Sequence, residues 1–407
     1  MKTTGGRKRP HDGAEAASSG ALAALLKTAP TPFYLYDEKS LAQAAQTLFT
    51  SFSRKSGFLP LFPMEMNPNA AVLRCLRRLG CGVQCRTLRE LRLAARCGFA
   101  PERVLYSPLR PDEQAALCAA EYGAALELCA PELLPVQLPR TVFLRLRPAG
   151  PLFYDGRPVT GAWETDWGLT EEALLQCAQS LHAFFDVRIG LSMHMTELCM
   201  DASLYPACAQ ALVHAARRLL DETGIRAAAL DLGGGLGVSY RASFPAPDPA
   251  RVARDVDEAL AALPPELADL ELRIRPGRYL AAPCGIFVTR VTAVRPFEPP
   301  VVLLDYAQTQ CPRLAKRGAY HEAAILCAAG RPMCVQRLCG SGRELAGAQY
   351  VLPEARRGDA AVFFMLGADG HSLAGTYGGA ADCAEYFLCA DGTLLSSEHA
   401  DDKTKAE

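Results

Sequence analysis

Ala227-Ala228-Ala229-Leu230-Asp231-Leu232-Gly233-Gly234-Gly235-Leu236-Gly237 is a short apolar run that ends in consecutive glycines. An apolar run of this length reads as a strand buried on both faces, and the glycines as a tight turn out of it. Comparable runs precede and follow it at Pro60–Met66, Gly82–Cys85, Arg103–Ser107, Ala125–Cys129, Thr141–Pro148, Val187–His194 and Glu271–Gly277. Amphipathic segments separate most of them, among them Ala70–Leu79, Leu88–Cys97, Glu171–Phe184, Tyr205–Asp221 and Ala250–Leu263. Eight strand-then-helix units in succession predict an α/β fold built on a (β/α)8 TIM-type barrel.

After residue 284 the helical patterns stop. Ile286–Val294, Val301–Tyr306, Ala323–Cys327, Met333–Cys339, Ala360–Met365 and Glu385–Leu388 read as strands separated by Gly and Pro. They predict a C-terminal all-β domain over residues 285–395, after a barrel over 41–284. Pro32–Tyr36, within residues 31–40, is expected to join that sheet, and residues 1–30 and 396–407 read as disordered tails.

Composition narrows the function. The chain has 407 residues, 50% of them hydrophobic, and a net charge of −1, which argues against nucleic acid or an acidic membrane as the main partner. No apolar run reaches the ~18 residues of a membrane span. The polar first twenty residues, with Arg7-Lys8-Arg9-Pro10, lack the apolar core of a signal peptide. The sixteen cysteines form no C-x-x-C pair, so they read as buried thiols in a reducing, cytoplasmic setting and not as a metal site.

Barrel enzymes carry their chemistry at the C-terminal ends of the strands. The glycines 233–235 follow the seventh strand, and Pro276-Gly277-Arg278-Tyr279 follows the eighth. Glycines allow close approach of backbone N–H groups to an anion, and a guanidinium grips phosphate. His194 closes the sixth strand and faces the same mouth, where a core role and a ligand-stacking role are both open. Cys339-Gly340-Ser341-Gly342 reads on its own as a hairpin turn with a buried thiol.

Five elements together carry a resemblance over residues 32–392: Phe62-Pro63-Met64-Glu65-Met66-Asn67-Pro68-Asn69, the glycine triplet, Pro276–Tyr279, Arg313 followed by Gly318-Ala319-Tyr320-His321, and Cys339–Gly342. In these the chain resembles the fold-III pyridoxal-phosphate (PLP) decarboxylases, the diaminopimelate and ornithine decarboxylase group, with most likeness to the diaminopimelate branch. The resemblance implies an alanine racemase-like barrel, a β domain and a homodimer. It implies that Gly233, Gly234, Gly235, Gly277, Arg278 and Tyr377 hold the cofactor phosphate and that His194 stacks on its ring. Arg313 and Tyr320 would hold a substrate carboxylate, and Cys339 would return a proton from the neighbouring subunit.

The same resemblance marks departures. Glu65 stands where the family has its Schiff-base lysine, and Arg275 where it has the acid facing the ring nitrogen. Glu197, Gly340, Arg343, Asp369 and Gln84 stand where the family has a serine, two acids, a tyrosine and an aspartate. A carboxylate forms no imine with an aldehyde, and an arginine does not keep a pyridine nitrogen protonated. The inverted charges suggest that Glu65 and Arg275 pair across the ring site. Three readings follow. The chain is a degenerate homologue with a binding or regulatory role, paired with itself or an active paralogue and taking an amino-acid or phosphorylated ligand. Alternatively it is an enzyme with PLP-independent acid/base chemistry on a small carboxylated or phosphorylated substrate, with Glu65, Glu197 and Asp369 as new groups. The third reading is a residual PLP-dependent decarboxylase that holds the cofactor noncovalently.

Overall fold

The computed structural model describes residues 20–53, 57–108, 113–130, 137–159, 167–196, 198–241, 243–316, 319–341, 343–377 and 383–396. The chain divides into two compact units, residues 42–280 and residues 1–41 with 281–407.

The first unit is a closed barrel of eight parallel strands: β2 (Phe58–Pro63), β3 (Gly82–Cys85), β4 (Val104–Tyr106), β5 (Ala125–Leu128), β6 (Thr141–Arg145), β9 (Arg188–Ser192), β10 (Ala229–Gly234) and β11 (Glu271–Arg275). β7 (Phe153–Tyr154) and β8 (Arg157–Pro158) form a small separate hairpin after β6. The strand order follows the sequence around the ring, and β11 closes on β2. Leu59, Leu61, Leu105, Ala125, Phe143 and Ala229 pack into one core cluster drawn from five of these strands. Gly190 makes room for it, because a Cβ there would lie 2.5 Å from the Phe143 ring. The helices close on short polar caps. Asn69 accepts the Ala71 and Val72 amides at the start of helix Ala70–Arg78, and Thr87 with Glu90 forms a capping box on helix Leu88–Arg96.

The second unit is a nine-stranded, mostly antiparallel sheet. Its strands are β1 (Phe33–Asp37), β12 (Gly285–Arg295), β13 (Val301–Ala307), β14 (Ala323–Ile325), β15 (Met333–Ser341), β16 (Arg343–Pro353), β17 (Ala360–Phe363), β18 (Ala384–Leu388) and β19 (Leu394–Ser396). β1 lies between β12 and β18, so the segment before the barrel is a central strand of this sheet.

One expectation about this unit needs correction. Residues 20–28, assigned to a disordered tail, form a helix whose Leu22 and Leu25 are buried against Phe33, Ile286 and Val288. The cysteine–glycine run lies at the hairpin between β15 and β16 with Cys339 buried, as its sequence suggests. Cys339 and Gly340 lie inside β15 and pair with Glu344 and Arg343 of β16.

Candidate functional site

At the C-terminal ends of the barrel strands lies an open cavity of about 530 Å³, mouth included. Its lining includes Glu65, Gln84, Arg86, Arg145, His194, Gly234, Gly235, Arg275, Gly277 and Arg278. Each follows or ends a barrel strand, except Gln84 within β3, so the parallel ring itself gathers them.

Glu65 sits in a 3₁₀ turn, Met64–Met66, just after β2. Arg86 follows the neighbouring strand β3, and its Nη1 donates to Glu65 Oε2 at 2.5 Å. The expected pair between Glu65 and Arg275 is therefore overturned. Adjacency in the ring decides the partner, and Arg275, at the end of β11, is engaged elsewhere. About a third of each side chain in the Glu65–Arg86 pair is exposed, 34% and 32%. An ion pair so wetted contributes little, so Glu65→Ala is expected to change unfolding free energy by under about 1 kcal/mol. A urea titration checks this. A loss of several kcal/mol would mean that Glu65 carries more of the fold than this pair.

Arg275 is buried to 1% and held by two carboxylates. Its Nε donates to Asp231 Oδ2 at 2.9 Å, its Nη1 to Glu127 Oε2 at 3.2 Å, and its Nη2 to Glu127 Oε1. Glu127 lies in β5 and also accepts the hydroxyls of Ser107 and of Ser192, the latter at 2.7 Å. Burial alone would raise the Glu127 carboxyl, but the Arg275 guanidinium overrides it and holds the group well below the usual carboxylate range. Register explains the gathering. Arg145, Ser192 and Asp231 occupy one row across β6, β9 and β10. Sequence reasoning passed over Glu127 and Arg145. The available signal was a charge inside a run predicted to be buried on both faces, which demands a partner.

The glycine turn is built by close packing. Gly233 adopts φ +76°, and a Cβ there would lie 2.2 Å from the Met193 carbonyl oxygen. The amides of Gly233, Gly234 and Leu236 donate to Asp231 Oδ1, His194 Nδ1 and the Tyr205 hydroxyl, at 2.9, 3.1 and 3.2 Å. Of the glycine N–H groups expected to face a phosphate, those of Gly233 and Gly234 are directed into the protein. Gly277 makes a similar close approach, with a Cβ there placed 2.7 Å from Met66.

His194 is held neutral. Burial, then Arg145 and Arg275, lower its pKa to about 3. In the second unit His321 is also lowered to about 3, by burial and by Arg313. Histidines in the unfolded chain take up a proton near pH 6.5. The unfolded state thus binds more protons between about pH 6.5 and 3. Stability is full above that window and falls with pH inside it, by about 1.4 kcal/mol per pH unit per histidine. Urea midpoints between pH 7 and 5 measure the slope, and His194→Asn and His321→Asn should each remove one share of it.

The remaining candidates lie in the second unit or outside the described residues. Arg313 Nε donates to His321 Nε2 at 3.1 Å, and its Nη1 to Asp369 at 3.4 Å. Asp369 is buried with φ +57°. Tyr320 stacks on Tyr350 with ring centroids 5.8 Å apart. Cys339 is buried, and its thiol contacts the Gly340 carbonyl at 3.4 Å. Glu197 and the Tyr377 side chain lie outside the described residues.

Residues 39–282 match the family described as "Pyridoxal-dependent decarboxylase, pyridoxal binding domain". The chain is 28% identical over 386 residues to protein TabA of Pseudomonas amygdali pv. tabaci, covering 93% of this chain and 90% of that protein. It is 29% identical over 400 residues to a diaminopimelate decarboxylase of Pseudomonas fluorescens, covering 91% of each. Among solved structures, diaminopimelate decarboxylase from m. jannaschi superposes with a TM-score of 0.83 at 20% identity, covering 93% of this chain and 91% of that one.

Proposed function

Because the chain belongs to the pyridoxal-dependent decarboxylase family, with most likeness to its diaminopimelate decarboxylases, we propose that it is a member unable to capture PLP covalently and that it acts as a binding or regulatory homologue. The observation that carries this reading is Glu65, a carboxylate tied to Arg86 at the cavity mouth. The barrel unit contains one lysine, Lys55, which lies outside the described residues, and no lysine is among the described residues that line the cavity.

PLP supplies an aldehyde for an amine and, with its ring nitrogen protonated, a sink for electrons. The aldehyde requires a neutral amine, and the cavity offers an ion-paired carboxylate. The protonated ring nitrogen requires an acid, and the cavity wall offers Arg275, kept cationic by Glu127 and Asp231. Arg278 suits the phosphate, but the two reactive ends do not fit. No catalytic step is therefore assigned to the cofactor in this chain.

The same reading takes the chain as a homodimer, or as the partner of an active paralogue, in the cytoplasm. The family fold supports the dimer. All sixteen cysteines carry free thiols, which suits a reducing compartment. No helix among the described residues is long and apolar enough to cross a membrane. PLP-independent acid/base chemistry is less well supported. His194, lowered to about 3, is a weak base near neutral pH, and Glu65 is engaged by Arg86.

Purified protein incubated with PLP and then reduced with borohydride tests the proposal. Intact-mass analysis is expected to show unmodified chain. A stoichiometric pyridoxyl-lysine adduct, with decarboxylation of meso-diaminopimelate, would return the chain to the ordinary enzymes of its family.

A further inference from the structure

Resting on the reading that this cavity does not hold PLP, we propose that its floor binds the oxyanion end of a small molecule, with Arg275 and Arg145 as the gripping groups and Glu127 as the residue that positions Arg275. The balance of donors and acceptors carries the proposal. A guanidinium has five N–H bonds. Arg275 directs three of them to Asp231 and Glu127, and among the described residues no acceptor meets the other two. Arg275 nevertheless lines the cavity while almost fully buried. Arg145 is similar. Its Nη2 donates to the His194 carbonyl oxygen at 2.9 Å, and its Nε is buried with no acceptor. The His194 ring accepts the Gly234 amide on Nδ1, which leaves the proton of the neutral ring on Nε2.

The acceptors behind this floor are already used. Each Glu127 oxygen takes one serine hydroxyl and one guanidinium N–H. Asp231 takes the Gly233 amide on one oxygen and Arg275 on the other. The floor therefore presents unfilled donors from Arg145, His194 and Arg275 and calls for an acceptor-rich group. Charge selects an oxyanion over a neutral carbonyl. Among the described residues four guanidiniums line the cavity, from Arg86, Arg145, Arg275 and Arg278, against three carboxylates, Glu65 at the mouth and Glu127 and Asp231 behind Arg275, which leaves a net positive charge. A charge-assisted, bidentate partner suits planar guanidiniums best. The same polarity rejects a group that donates a proton there, such as a protonated ring nitrogen or an ammonium. Glu127 acts through Arg275. With both oxygens saturated, it holds the guanidinium plane in one orientation.

Carboxylate and phosphate share this chemistry, and calorimetric titration of the full-length protein separates them. Glutarate and inorganic phosphate are the probes, and cadaverine, a five-carbon diamine that presents ammonium groups and no oxyanion, is the control. At least one oxyanion is expected to bind with a Kd of roughly 1 mM or tighter, and cadaverine not to bind. Arg145→Met should weaken the bound oxyanion about tenfold or more. Glu127→Gln should do the same in folded protein, and Ser192→Ala, which removes one of four donors to Glu127, should weaken it less. A purely structural Glu127 would lower the melting temperature of these variants and leave the affinity of the folded fraction unchanged, which would overturn its positioning role. Binding of neither oxyanion, equal binding of cadaverine, or full affinity in Arg145→Met would overturn the site. Uptake of PLP into a borohydride-stable adduct would instead remove the functional reading beneath it. A protein that refuses PLP and both oxyanions loses only the present assignment.

Discussion

Replacing Arg275 with leucine is expected to lower the unfolding free energy by about 3–5 kcal/mol, enough to show as a large drop in urea midpoint at pH 7. The side chains of Glu127 and Asp231 are 1% and 0% exposed, and Arg275 is the cation within ion-pair distance of both. Its removal strands two charges in the barrel, and the cost is their uncompensated burial more than the worth of the lost pair. Two controls distinguish this from a packing defect. Arg275→Leu/Glu127→Leu should recover part of the loss, because one stranded charge is gone and Asp231 keeps the Gly233 amide. Acid should also narrow the gap. Wild-type Glu127 is depressed, so its contribution is present above the unfolded pKa near 4.3 and is lost only far below it. In Arg275→Leu burial is expected to raise the same carboxyl, and its protonation as pH falls through 5 relieves the strain. A variant as destabilised at pH 4.5 as at pH 7 would point to a cavity in the core.

Much of this architecture is legible in the chain, because strands buried on both faces write themselves as uninterrupted apolar runs. β3, β5 and β10 are buried at every residue, and each lies inside one of the eight runs. The strand ends then deliver the cavity without further information, since a parallel ring puts all its C-termini on one side. β16 was not anticipated. It is the last strand of its sheet, and its Val351 is exposed, so no apolar periodicity was imposed on it. The helix Gly20–Thr28 was lost for a related reason. Small residues and one basic turn resemble a tail, and only the docking of Leu22 and Leu25 on the sheet makes the segment a helix. At the site, charge inversion identified Glu65 and Arg275 as unusual but paired them wrongly. Pairing depends on height as well as on sign. Glu65 stands in a turn above β2 beside Arg86, while Arg275 lies at the level of Asp231 and is met by Glu127 of β5. No linear pattern conveys that β5 reaches β11 across the barrel.

The second large effect is expected at Glu65→Lys, and it is a separation of two properties. The introduced amine would replace a carboxylate that lies 2.5 Å from Arg86, so an ion pair becomes a like-charged contact. Repulsion by Arg86 should lower the amine pKa and supply neutral nucleophile near pH 7. Borohydride reduction in the presence of PLP is therefore expected to change from no adduct to a nearly stoichiometric one. Decarboxylation of meso-diaminopimelate should nevertheless stay at background, because Arg275 remains fixed at the cavity wall and disfavours a protonated ring nitrogen there. Exchanging Arg275 alone is no remedy. Glu65→Lys/Arg275→Glu sets a third carboxylate beside Glu127 and Asp231 with no cation between them, and this variant should be soluble poorly if at all. Removing Glu127 in the same step, as Glu65→Lys/Arg275→Glu/Glu127→Val, takes away the carboxylate that requires an arginine opposite it, although Ser107 and Ser192 then lose their acceptor. Turnover should appear in that triple variant first. Equal turnover in Glu65→Lys alone would show that the amine was the whole deficit and that the Arg275–Glu127 pair has no part in rejecting the cofactor's chemistry.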